Sequence, residues 1–126
     1  MCKVLLIDDS EVSLMVAEAL LMTDGYDVRT ATSLAEFAEA VRDFSPDIIL
    51  SDVEMPEMTG PDLCKRVKAT PRTAHVPVVL YSTKAPRELA ALAADCGADG
   101  YVCKADRHEG LPKKLAEIWA QLSSPG

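Results

Sequence analysis

Residues 47–67 read DIILSDVEMPEMTGPDLCKRV, and this stretch decides the architecture. Its first five residues, DIILS, form an apolar run without polar alternation, the pattern of a strand covered on both faces. Asp52 ends the run. The turn-rich segment Met55-Pro56-Glu57-Met58-Thr59-Gly60 follows, and Pro61 opens a helix carrying Leu63, Cys64 and Val67. A buried strand, an acid and then an amphipathic helix make one βα unit.

The unit recurs on both sides of that stretch. Upstream, KVLLI at 3–7 reads as a buried strand ended by Asp8 and Asp9. A helix over 11–24 carries Val12, Met15, Val16, Ala19, Leu20 and Met22 at helical spacing, and Gly25 stops it. A short second strand covers 27–31. Ser33-Leu34-Ala35-Glu36 is a capping box, in which hydroxyl and carboxylate each satisfy an orphan backbone donor, and its helix runs to about Phe44. Downstream, PVVLY at 77–81 is ended by Ser82, Pro86 opens a helix closed by Gly97, and 100–103 is a fifth strand leading to Lys104. A last helix over 111–122 is expected to bury Leu115, Ile118, Trp119 and Leu122.

Five βα units with continuous apolar strands imply an α/β fold, a doubly wound parallel sheet with helices on both faces. Such sheets bind ligands beyond the carboxyl ends of their strands. Function is therefore sought in Asp8, Asp9, Asp52, Ser82 and Lys104.

The 126 residues make one domain, with 48% hydrophobic and 26% charged residues, which excludes a disordered or fibrous chain. The mostly apolar stretch 14–22 is interrupted by Glu18 and falls short of the ~20 residues of a membrane span. The N-terminus lacks a cleavage site of small residues, so no signal peptide is expected and the cytoplasm is the expected compartment. A net charge of −7 disfavours direct nucleic-acid binding, which depends on Lys and Arg at phosphates. Neither GxGxxG nor GxxxxGK[ST] occurs, which disfavours a nucleotide site. Cys2, Cys64, Cys96 and Cys103 form no CxxC pair and read as reduced, mostly buried small hydrophobes.

If the first and third strands are neighbours, Asp8, Asp9 and Asp52 converge. Each like-charge pair at ~4 Å then costs about 4 kcal/mol at an effective dielectric of 20. A cation or a shared proton must offset that cost. Oxygen donors without histidine point to a hard ion, Mg²⁺ or Mn²⁺. A carboxylate beside such an ion can attack phosphorus, with Ser82 and Lys104 as donors to the phosphoryl oxygens.

These residues, in this order, resemble a response-regulator receiver domain, the CheY-like family of bacterial two-component signalling. The resemblance covers essentially the whole chain. It rests on Asp8-Asp9, on Asp52 followed by Met55-Pro56-x-Met58-x-Gly60, on Ser82, and on Gly97-Ala98-Asp99-x-Tyr101 leading to Lys104. Thirty residues separate Asp52 from Ser82 and twenty-two separate Ser82 from Lys104, which fits as well.

The resemblance implies a flavodoxin-like (βα)5 sandwich with strand order 2-1-3-4-5. It implies a receiver domain over 1–122 with a short tail at 123–126. No effector domain follows the last helix in this sequence, so the chain is expected either to act alone by binding a partner or to be a fragment of a longer regulator. It makes Asp52 the phosphoacceptor for a sensor histidine kinase or phosphotransfer protein. Asp9, Asp52 and the backbone carbonyl of Glu54 would coordinate Mg²⁺ directly, and Asp8 mostly through water. Lys104 and Ser82, with Thr83 beside them, would hold the phosphoryl oxygens. Tyr101 would move inward as Ser82 shifts, changing a partner-binding face built from Tyr101 and the two helical segments that begin at Ala85 and Leu111 and end at Cys96 and Leu122. Glu54 and Lys84, two residues beyond the phosphoacceptor and the switch hydroxyl, would flank the hydrolytic water. Opposite in charge and long, they are expected to form an ionic gate that slows autodephosphorylation.

The family usually has proline after the lysine, often with a cis bond, whereas Ala105 follows Lys104 here. A cis bond to a non-proline residue costs about 2.5–4 kcal/mol, so a trans bond and a differently aimed Lys104 are expected. The competing reading is a Mg²⁺-dependent phosphohydrolase with an Asp nucleophile. Haloacid-dehalogenase-like enzymes place an acid two residues after the nucleophile, whereas Asp8 and Asp9 are adjacent and Ser10 follows. A pseudo-receiver acting only as an interaction module is a further alternative, against which the complete acid set argues.

Overall fold

The computed structural model describes residues 2–103 and 110–123. Five strands and five helices alternate: β1 (Lys3–Ile7), α1 (Glu11–Thr23), β2 (Asp27–Ala31), α2 (Leu34–Phe44), β3 (Ile48–Asp52), α3 (Gly60–Ala69), β4 (Val78–Ser82), α4 (Pro86–Cys96), β5 (Gly100–Cys103) and α5 (Leu111–Ser123). All strand pairs are parallel and the sheet order is β2-β1-β3-β4-β5, the order that the resemblance implies.

Alternation along the strands divides the core in two. Val4, Leu6, Ile48, Leu50, Val79 and Tyr81 face one side and pack on α1 and α5 through Leu14, Ala17, Leu21, Leu111 and Leu115. Leu5, Ile7, Ile49, Val78 and Leu80 face the other side, against Phe37, Leu63, Val67, Leu89 and Ala93 of α2, α3 and α4. Among the described residues, no helix is long and apolar enough to cross a membrane.

Helix ends are set locally. Ser10, Ser33 and Thr59 cap α1, α2 and α3, their hydroxyls accepting from Ser13 N, Glu36 N and Asp62 N. Glu36 does not return to Ser33 N, as the capping box predicts. It reaches one residue further, accepting from Thr32 N at 2.6 Å and Thr32 Oγ1 at 2.7 Å. Gly97 closes α4 at φ +79°, a left-handed conformation suited to glycine.

Three expectations are corrected. The apolar stripe over Val12, Met15, Val16 and Met22 is exposed; α1 buries Leu14, Ala17 and Leu21 instead. The helix is apolar on both sides, so periodicity could not choose between the stripes, and small Ala17 lets the buried one approach the sheet. On α5, Leu115 is buried but Leu122 is exposed, because it lies near the end of the last turn, beyond the sheet. Strands β3 and β4 also start one residue later than expected. The Asp47 carboxylate accepts from Lys3 N at 2.9 Å, and Pro77 has no N–H to donate.

All four cysteines are free thiols. Burial, and then the neighbouring Cys96, push the Cys64 thiol up to about 12, which disfavours the reactive thiolate.

Candidate phosphoacceptor site

The one-residue shift makes Asp52 and Ser82 the last residues of their strands, held by register. Asp52 lies opposite Tyr81, and Ser82 opposite Cys103. Ile7 pairs with Ser51, so Asp8, the next residue along β1, arrives beside Asp52. One carboxylate oxygen each from Asp8, Asp9 and Asp52 lies within 4.8 Å of the others. The three differ in setting: Asp8 is buried, Asp52 half-buried and Asp9 exposed.

Backbone donors aim two of these acids. Asp8 Oδ1 accepts from Ser10 N at 2.9 Å, and Asp52 Oδ1 accepts from Val53 N at 2.9 Å. Two carboxylate charges 4.8 Å apart repel by about 3.5 kcal/mol at an effective dielectric of 20. The cluster therefore suits a divalent cation, and donors that are all oxygen suit a hard one such as Mg²⁺.

Gly60 sits where the backbone of α3 meets that of β3. Its N–H donates to Val53 O at 2.7 Å, and a Cβ at this position would strike the carbonyl oxygen of Asp52. The glycine that ends the Met55–Gly60 turn thus lets α3 start against the carbonyl of the candidate phosphoacceptor.

Asp8, Asp9, Asp52, Glu54, Ser82 and Thr83 line a single open cleft, with Ser10, Ser13, Met55 and Pro56 completing its wall. Ser82 is 5% exposed, and its Oγ accepts from Lys84 N at 3.2 Å. The Lys84 carbonyl accepts from Cys103 Sγ at 3.2 Å, which ties the β4–α4 turn to the end of β5. Lys84 Nζ meets Glu54 Oε1 at 3.0 Å and Glu88 Oε2 at 3.9 Å. The hydrogen bond and charge of Glu54, and then Glu88, raise the Lys84 ammonium above its ordinary value. Tyr101 stands on β5 opposite Leu80, 37% exposed. Lys104 and the Lys104–Ala105 bond lie outside the described residues.

Two residues of the site escape a reading of the sequence. Tyr81 is 4% exposed beneath the cleft, and burial, followed by the Asp8 charge, pushes its phenol above the ordinary range. Its signal was strand alternation, which sends Tyr81 to the opposite face from Ser82. Ser13 Oγ is buried at the cleft without a hydrogen-bond partner among the described residues. It follows the α1 cap by three positions, so only the helix start could have pointed to it.

A family model described as the response regulator receiver domain matches residues 4–116. The gliding motility regulatory protein of Myxococcus xanthus is 36% identical over 104 residues, which are 82% of this chain and 13% of that protein. The chain thus spans about an eighth of that relative's length. The chemotaxis protein CheY of Pseudomonas aeruginosa is 30% identical over 125 residues, 96% of this chain and 98% of that protein. The solved chemotaxis response regulator CheY4 of Vibrio cholerae superposes with a TM-score of 0.83 at 31% identity, covering 94% of this chain and 98% of its own.

Proposed function

The chain belongs to the response regulator receiver domain family, a family of phosphorylation-dependent signalling switches, and we propose that Asp52 is its phosphoacceptor. The family assignment sets aside the phosphohydrolase alternative. The observation that carries the proposal is the convergence of three carboxylates within 4.8 Å in one cleft walled by the Ser82 hydroxyl.

In this reading a sensor histidine kinase or phosphotransfer protein presents a phosphohistidine. An oxygen of Asp52 attacks phosphorus, the P–N bond breaks, and its electron pair leaves with the imidazole. Asp8, Asp9, Asp52 and the Glu54 carbonyl would hold Mg²⁺, which would offset negative charge at the transferring phosphoryl group. Ser82 would give up its bond from Lys84 N to donate its hydroxyl to a phosphoryl oxygen, assisted by Lys104. The β4–α4 turn would follow Ser82, and Tyr101, half out of β5, would turn inward. The face altered for a downstream protein is then α4, Tyr101 and α5.

An ion pair joins Glu54, in the wall of the same cleft, to Lys84. In this reading it restricts hydrolytic water and lengthens the life of the acyl phosphate, while Thr83 narrows the mouth further.

The test is covalent modification. Acetyl phosphate should add one phosphoryl group by intact mass only with Mg²⁺ present, and Asp52→Asn should abolish the addition. An acid-labile adduct that survives in Asp52→Asn overturns the assignment. Decay of the adduct should quicken in Glu54→Ala and in Lys84→Ala, with a non-additive double variant; additive effects or no acceleration remove the gate.

A further inference from the structure

The seam between α2 and α3, remote from the acid cleft, is open. α3 packs on α4, and α2 lies on β2 and β1. A groove of about 620 Å³ remains between them, open along one side. Its floor is apolar: Phe37, Leu63 and Val67 are each less than a tenth exposed, with Val41 beside them. Its rim is basic. Arg42 comes from the last turn of α2, Arg66 from the last turn of α3, and Arg72 from the turn that follows.

These are three of the chain's six arginines, in a protein of net charge −7. No acidic side chain lines the groove. Arg42 bonds its neighbour Asp43 at 3.2 Å; among the described residues, neither Arg66 nor Arg72 is paired with an acid. Cations in a last helical turn complement the helix dipole, which accounts for placing Arg42 and Arg66 there. It does not account for Arg72, or for a groove with an apolar lining rimmed by three guanidinium groups.

We propose that this groove docks an amphipathic helix of a partner protein carrying Asp or Glu along one flank. Its apolar stripe would fill the seam between two helices, ridge into groove. Its carboxylates would meet guanidinium forks, which bind carboxylates in bidentate geometry. The eleven residues of α2 offer about 16 Å of seam, three turns of a guest helix. A half-open groove suits a helix better than a small ligand, since small-molecule sites enclose about 70–90% of their ligand. The charges supply selection: the protein as a whole repels an acidic segment, and this rim attracts one. The helix ends that carry the arginines lie at the sheet edge opposite Asp52, so the proposal stands apart from the phosphoacceptor reading.

The experiment uses two synthetic helical peptides of about 16 residues, some 24 Å long, with the same leucine stripe. One is flanked by Glu and the other by Lys, and each is titrated into isotope-labelled protein followed by NMR. The Glu peptide should shift the signals of Phe37, Val41, Leu63 and Val67 and bind roughly tenfold more tightly than the Lys peptide, a difference of about 1.4 kcal/mol. The double variant Arg66→Glu/Arg72→Glu should reverse the preference, and Arg66→Gln/Arg72→Gln should erase it. Binding of the Lys peptide as tight or tighter, which net charge alone predicts, overturns the proposal. Shifts confined to other surfaces also overturn it. So does tighter binding of sodium dodecanoate at the same signals, which would make the groove a small-anion site, or concentration-dependent self-association abolished by the arginine variants, which would assign it to a second copy.

Discussion

Asp52→Asn removes one charge from the acid cluster while leaving Oδ1 able to accept the bond from Val53 N, now 2.9 Å long. That bond is therefore kept when the charge is removed. Asp8 and Asp52 lie within 4.8 Å, so their repulsion is at least about 3.5 kcal/mol at an effective dielectric of 20. Asp52 is only half-buried, so solvent relieves part of that repulsion, and about 1–3 kcal/mol should be recovered on neutralisation. In chelator, the urea midpoint of Asp52→Asn should rise by about 1 M, given a slope of about 1–3 kcal/mol per molar for a domain of this size. With Mg²⁺ that advantage should shrink or invert. Wild type gains RT ln(1 + [Mg²⁺]/Kd), about 2.7 kcal/mol at a hundred times Kd, and the variant loses most of that gain. Urea melts of both proteins, with chelator and with saturating Mg²⁺, read all four values. An unchanged or lowered midpoint for Asp52→Asn in chelator would refute the crowding argument. An undiminished Mg²⁺ response would place the ion elsewhere.

The corrected face of α1 predicts that Leu21→Ala destabilises by about 2–5 kcal/mol, whereas Met22→Ala, next to it but exposed, changes stability by less than about 0.5 kcal/mol; thermal melts that rank the pair the other way would restore the opposite stripe. Asp99 accepts from Val78 N at 2.9 Å and Lys68 Nζ at 2.8 Å, so Asp99→Ala should cost about 1.5–3 kcal/mol, and a neutral result in urea melts would show the pair to be dispensable. Gly60→Ala drives a Cβ into the Asp52 carbonyl, backbone against backbone, and should weaken Mg²⁺ stabilisation as well as the fold; an unaltered Mg²⁺ response would deny the glycine its place in the site. Glu36 is held below its ordinary value of 4.5, first by the Thr32 hydroxyl and then by the Thr32 N–H. Its contribution is therefore complete above that pH and is lost as pH falls through the lower folded value, so wild type and Glu36→Gln should converge in acid, and a gap that persists would contradict the linkage.

What the sequence reveals depends on whether a feature is written in local chemistry or in packing. Strands and caps are local: short apolar runs bounded by turn signals read as strands covered on both faces, and Ser33 stands at a fixed offset from a helix start. Convergence of Asp8, Asp9 and Asp52 was legible too, because strand ends in a parallel sheet gather along one edge. Packing is where legibility fails. α1 carries two apolar stripes, and only the sheet beneath decides that Leu14, Ala17 and Leu21 go inward while Val12, Met15, Val16 and Met22 stay out. Tyr81 was hidden for a related reason: strand alternation assigns it a face, but not its position beneath an acid that arrives from β1. The Glu54–Lys84 contact at 3.0 Å lies between these cases. Glu54 stands two positions beyond Asp52 and Lys84 two beyond Ser82, so adjacency of β3 and β4 brings both loops to one cleft, and opposite charge does the rest. The groove between α2 and α3 lies at the far end of that scale. Arg42, Arg66 and Arg72 are scattered along thirty residues of sequence, and each alone reads as a solvated side chain. Only the open seam brings them around one apolar floor, so a docking surface of this kind is a property of the fold and not of any motif.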